Sequence, residues 1–365
     1  MSDDPGNEPS YFVRLVRAFW QGATQPCVGA ALGALGLTLA GAIFIVASST
    51  EARVRATDPA AWMSSPTDDF GRQAAFVIQG AERHARGRGT MAVFIGPSML
   101  QSLLPAGADL DQALTAGAGQ PVRGLDLSAL ALNYMEEAAV VERFGSAFEG
   151  WLVLGVNRYA LARNFQEDQE RKKRHGFLVE FDSRVLDEEL QRAGFPPARR
   201  WGVPFLDHTS LYRRSLAGYR FAERSPHGYV PPTHAVKERI LNTPGKILAS
   251  LPVRDAAAFE ANLAILGRMA ERQRRAGGAR VVLVECPFAD EVTPALHSPE
   301  WREEREQFIR RRNAWSAEHN TPWIDVAAEL GVRPEDFYDP LHVHAPAVRR
   351  RFVELVARRL AALQP

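Results

Sequence analysis

Three side chains in this 365-residue sequence stand where the local pattern could expose them for chemistry. Ser98 lies in MAVFIGPSML, after an apolar run and a tight Gly96-Pro97 turn; Asp339 and His342 lie three apart in DFYDPLH, ahead of an amphipathic C-terminal segment. A serine at the carboxyl end of a buried strand, with a histidine and an aspartate near the end of the same domain, is the inventory of a nucleophilic acyl-transfer site. Each residue also has a plainer use: Ser98 as a helix cap, and Asp339 before Pro340 as a turn former.

The chain must fold so that these remote pieces meet, and its periodicity says how. Strand patterns occur over Ala92–Ile95, Val122–Leu127, Trp151–Val156 (WLVLGV), Arg280–Val284 (RVVLV) and Trp323–Asp325. Helical patterns occur over Phe70–Ala85, Ser128–Phe144, Ala256–Arg275, Pro299–His319 and Ala345–Leu363. Continuous apolar strands alternating with helices of this length predict an α/β fold, a mainly parallel sheet covered on both faces. Right-handed crossovers make it a doubly wound, flavodoxin-like three-layer sandwich. Ligands bind such sheets beyond the carboxyl ends of the strands. Ser98, Asn157 after the third strand, and the Asp339–His342 turn are thereby predicted to share one edge.

The N-terminus reads differently. Cys27–Ser48, CVGAALGALGLTLAGAIFIVAS, carries no charge and at about 1.5 Å per residue reaches across a hydrocarbon layer of about 30 Å. It is expected to be a transmembrane anchor over 27–48, with a cleaved signal peptide as the alternative, since Ala47-Ser48-Ser49 could be processed. Residues 1–26 hold a short interfacial helix with Phe12, Val16 and Phe19 on one face. Residues 49–69, rich in Ala, Ser, Thr and Pro, read as a stalk, leaving 70–365 as the main domain. Arg14 and Arg17 before the span are balanced by Arg53 and Arg55 after it, so charge leaves the orientation open.

Composition excludes some classes. A net charge of +1 from 44 basic and 43 acidic residues gives no reason to expect nucleic acid. Cys27 and Cys286 lie in unlike settings and suggest neither a disulfide nor a zinc site. His208, His227 and His234 lack metal-ligand spacing, and Gly96-Pro97-Ser98 lacks that of a phosphate loop. No cofactor or metal is expected.

The blocks Gly96-Pro97-Ser98, Gly155-Val156-Asn157 and Asp339-Pro340-Leu341-His342 resemble those of the SGNH/GDSL hydrolase superfamily. With the anchor and a long central insertion, the chain looks closest to the membrane-anchored branch that includes alginate O-acetylation proteins and the D-alanyl transfer protein of teichoic-acid modification. The resemblance covers about 70–363, with Gly-Pro-Ser where the family has Gly-Asp-Ser. It implies Ser98 as nucleophile, His342 as base and Asp339 orienting the imidazole, with D-x-x-H spacing preferring His342 over His344. It also implies an oxyanion hole from the Ser98 N–H and the Asn157 amide. The family's further donor, a glycine N–H after the second strand, has no clear counterpart: either Gly124 supplies it or Asp126 stands near its place and weakens the hole.

Two functions follow. One is an anchored extracytoplasmic, periplasmic esterase or O-acyltransferase acting on an acylated carbohydrate or envelope polymer. The other is a degenerate accessory protein that partners a multi-pass membrane acyltransferase. The insertion at about 160–252 holds the charge run QEDQERKKRH (166–175) and Arg-aromatic stretches at 199–201 and 212–214. It reads either as a solvated surface or as a lid over the catalytic edge.

Overall fold

The computed structural model describes residues 16, 17, 21, 26–48, 89–105, 108–128, 132–146, 149–163, 183–194, 255–337 and 339–363. The stalk, the Phe70–Ala85 helix and most of the insertion lie outside the described residues, as does nearly all of the interfacial helix. Pro26–Ser48 forms one helix (α1) of 23 residues, matching the span expected of the anchor. Its described side chains, over 29–44, are nearly all exposed, Leu37 and Phe44 most of all. Among the described residues no helix is long and apolar enough to cross a membrane. The helix belongs to a different compact unit from the strands.

The main unit is built on five parallel strands: β1 (Met91–Ile95), β2 (Arg123–Asp126), β3 (Gly150–Val156), β4 (Arg280–Glu285) and β5 (Trp323–Ile324). They are ordered β2-β1-β3-β4-β5. All five sequence-predicted strands are present, and the α/β class with them. Because side chains alternate along a strand, Met91, Val93 and Ile95 enter one core while Ala92 and Phe94 enter the other. Leu152 and Leu154 divide from Trp151 and Val153 in the same way.

The first face is covered by α4 (Tyr134–Phe144), α6 (Arg184–Arg192), α7 (Ala256–Ala276) and α8 (Pro299–Glu318). The second is covered by α2 (Ser98–Leu103), α3 (Ala108–Ala118) and α10 (Pro346–Ala362). Two short helices, α5 (Arg158–Leu161) and α9 (Ala327–Leu330), follow β3 and β5. Each fully buried Val, Leu or Phe on these faces contributes about 1.5–3 kcal/mol, so both layers are needed to fix the central strands.

Three elements differ from expectation. The helix expected from Ser128 begins at Tyr134, because Asn133 caps it: the Asn133 side chain accepts from the Glu136 N–H while Glu136 accepts from the Asn133 N–H. Helix α3 has no counterpart in the sequence reading. Helix α6 falls within the expected insertion yet packs on the core, with Ser183 donating to Glu142 and buried Glu189 taking Arg268.

Candidate active site

Ser98 sits at the first turn of α2, immediately beyond β1. The N-cap position belongs to Pro97, which makes no side-chain cap, so the serine hydroxyl does not serve the helix. It serves His342: the Ser98 Oγ lies 2.9 Å from His342 Nε2 across 244 residues of sequence. His342 Nδ1 lies 2.9 and 2.7 Å from the two carboxylate oxygens of Asp339. An ionised carboxylate only accepts, which puts the imidazole proton on Nδ1 and leaves the Nε2 lone pair to accept from the Ser98 O–H. Ser98 and His342 are both about 8–9% exposed, so the pair is sheltered without being sealed.

The loop carrying the histidine is held on several sides. Phe337 and Val343 form an antiparallel bridge that closes it. Within it, the Leu341 and His342 N–H groups donate to Asp339 Oδ1 at 2.7 and 2.9 Å. The Val343 N–H donates to Ser102 Oγ on α2, and the Ala289 N–H, after β4, donates to the Pro340 carbonyl. His344 is directed elsewhere, its Nδ1 donating to the Asp336 carbonyl at 2.8 Å.

Close packing sets the serine against β3. A Cβ on Gly155 would lie 2.7 Å from the Leu100 Cβ, so only glycine lets α2 approach that strand. Asn157, at the carboxyl end of β3, caps α5 by accepting from the Ala160 N–H at 2.7 Å. Its amide nitrogen is thereby turned to the Met99 sulfur, 2.8 Å away and one residue from Ser98.

The second-strand positions do not join this group. The Gly124 N–H donates to Asp111 Oδ1 at 2.6 Å, and a Cβ there would strike Leu110; its glycine is needed for packing α3. The Asp126 carboxylate turns to Ser128, accepting from its N–H at 2.8 Å and from its hydroxyl. Burial pushes the Asp126 carboxyl up to about 6, against those hydrogen bonds and the charge of Arg349.

A small pocket of about 60 Å³ is walled by Pro97, Met99 and Leu341, the chain neighbours of Ser98 and His342, together with Tyr134, Tyr159 and Phe288. Farther along the same strand ends lies an ionic cluster that the sequence reading did not find. Asp290 Oδ2 accepts from Arg158, from the Tyr159 hydroxyl at 2.5 Å and from Trp301 Nε1 at 2.8 Å. Glu285 takes Arg305 and Arg312, and Arg312 continues to Asp325 at 2.7 Å. Burial, then the neighbouring carboxylates against Arg305 and Arg158, pushes Glu291 up to about 7. Cys286 is buried, and burial raises its thiol far above the ordinary range; it is no nucleophile. Among the described residues no group of metal-ligating side chains is assembled.

No protein-family model, curated protein or solved structure matches the chain.

Proposed function

We propose that this chain is a serine esterase or O-acyltransferase of the SGNH type, moving acyl groups to or from a cell-envelope glycan or polymer. The observation that carries this reading is the 2.9 Å approach of Ser98 Oγ to an imidazole whose far nitrogen is bound by Asp339. The 2-1-3-4-5 strand order supports the flavodoxin-like, doubly wound form of the fold, since that order is the one such sheets use. Helix α1 is proposed as the membrane anchor, with the main domain outside the cytoplasm.

In the proposed reaction His342 Nε2 takes the Ser98 proton as Oγ attacks the acyl carbonyl. The new C–O bond pushes the carbonyl electrons onto oxygen. The Ser98 N–H and the Asn157 amide stabilise that charge, the oxyanion displacing the weakly accepting Met99 sulfur. Collapse expels the alcohol, which receives the proton from Nε2. Water or a sugar hydroxyl then reverses the sequence, giving hydrolysis or transfer. Asp339 stabilises the imidazolium formed at each step.

A chromogenic acetyl ester tests this with the full-length protein in detergent. Turnover that falls by roughly 10⁴-fold in Ser98→Ala, together with fluorophosphonate labelling at Ser98, supports the reading. An unlabelled Ser98, or turnover that survives its replacement, sinks it. One observation favours an accessory protein that binds a multi-pass acyltransferase: Gly124 is committed to Asp111, and LSALALNYME after β2 offers no other glycine. The labelling result separates the two.

A further inference from the structure

Arg158 and Asp290 take no part in the reaction above, yet each stands next in the chain to a piece of the site. Arg158 follows Asn157, whose amide is the oxyanion donor of that reaction. Asp290 follows Ala289, whose N–H donates at 3.0 Å to the carbonyl of Pro340, between Asp339 and His342. The two side chains form an ion pair that is 4% and 0% exposed. The path from the Asn157 amide to the histidine loop therefore crosses one buried salt bridge, with a single residue on either side of it.

Helix α5, which carries Arg158, has four residues, too few to hold a direction of its own. Its far end is tied to α7, where Asn262 Nδ2 donates to the Leu161 carbonyl at 2.7 Å. Its near end is tied to Asp290 Oδ2, which accepts from Arg158 and from the Tyr159 hydroxyl at 2.5 Å. Trp301 Nε1 on α8 donates to the same oxygen at 2.8 Å. Because all three donors meet on one atom, a turn of that carboxylate moves the start of α5, and Asn157 with it. The backbone behind the carboxylate is held as well. Thr293 Oγ1 donates to the Ala289 carbonyl at 2.5 Å, and His297 Nε2 donates to the Asp290 carbonyl at 2.9 Å.

A buried ion pair adds little net stability, since desolvation of both charges offsets their attraction. What it supplies is a fixed distance and direction. We propose that Arg158 and Asp290 are positioning residues: their ion pair sets the Asn157 amide and the His342 imidazole at one spacing about Ser98. Proton transfer and oxyanion binding then act on the same carbonyl. This rests on the esterase reading and adds to it a determinant outside the reacting groups.

Replacing a buried pair by uncharged groups of similar volume is often neutral for stability, which separates placement from folding. In full-length protein, Arg158→Met combined with Asp290→Asn is expected to lower kcat for 4-nitrophenyl acetate by about tenfold to a hundredfold. Fluorophosphonate labelling at Ser98 should slow in proportion, while KM and the melting temperature stay near wild type. Wild-type kcat, a loss confined to KM, or a loss of kcat that follows a fall in melting temperature would overturn the proposal. If the double variant does not fold, Asp290→Asn alone decides, since it keeps an accepting oxygen for Tyr159 and Trp301 and removes the charge that holds Arg158. Reduced kcat at wild-type KM upholds the pair, and wild-type kcat refutes it.

A wild-type protein that neither turns over ester nor labels at Ser98 removes the esterase reading. The pair is then judged by crystal structures of the wild type and the double variant. A separation of Ser98 Oγ from His342 Nε2 that grows past hydrogen-bond range in the variant upholds the positioning role, and an unchanged separation refutes it.

Discussion

The carboxyl ends of β1 and β3 and those of β4 and β5 are neighbouring parts of one sheet edge, yet they hold polar groups in different ways. At β4 and β5 charge is answered by charge: Glu285 takes two arginines, Arg312 takes two carboxylates and Asp290 Oδ2 takes three donors. At β1 and β3 the polar groups are few and joined one to one: one hydroxyl on one imidazole, and an amide nitrogen resting on a thioether. A buried charge is stable only with its partners in place, so the ionic end is tied together by several side chains at once. The Ser98–His342 end depends on single contacts, and the ionic end supports it through Ala289 and Pro340.

Three substitutions test that contrast. The largest effect is expected at the reactive end: Asp339→Asn should cut kcat by about 10⁴-fold, because an amide can hold the wrong imidazole tautomer. It also keeps a side-chain acceptor for the Leu341 and His342 N–H groups, so the protein should remain folded by circular dichroism. Activity near wild type would mean that the carboxylate serves the loop and not the chemistry.

Next, Gly155→Ala drives a methyl into Leu100 and should cost about 1–3 kcal/mol in urea unfolding. Fluorophosphonate labelling should slow with it, as α2 and Ser98 are pushed from β3. Unchanged stability would show that the close approach is not under tension.

The smallest effect is expected at the paired end and depends on pH. Glu291 has a folded pKa raised from 4.5 to about 7, so the folded state holds its proton more tightly than the unfolded one. Stability from this group is full below about pH 4.5 and declines as pH rises to about 7. Glu291→Gln should flatten that part of the curve, narrowing the difference between urea midpoints at pH 5 and pH 8. A decline as steep as in wild type would place the responsible group elsewhere.

How much of this was legible beforehand depends on whether the signal was local. The five strands were readable because each is a short apolar run between breakers. Ser98, Asn157 and the Asp339–His342 turn were readable because strand ends of a parallel sheet fall on one edge. Helix α3 was missed because ADLDQALTAGA is short, buries only Leu110, Ala113 and Leu114, and carries a glycine near its end. The start of α4 was placed too early because Ser128 resembles a cap, whereas the reciprocal bonds belong to Asn133 and Glu136, a spacing that could have been noticed. The Asp290 cluster was beyond reach: Arg158 and Asp290 lie 132 residues apart, and nothing in a charged residue's neighbours names its distant partner. For Gly124, sequence offered two explanations, and only the Leu110 contact and the Asp111 acceptor identify it as a packing residue.

The 244-residue separation between Ser98 and His342 has a bearing on synthesis. The ribosome releases the serine long before it makes the imidazole, and β4 and β5 emerge in the interval. On the proposed chemistry a growing or prematurely ended chain carries an inert alcohol, unable to capture acyl groups on the way to its destination. Competence arrives only when the closing segment docks, so appearance of Ser98 reactivity during translation would time the completion of folding.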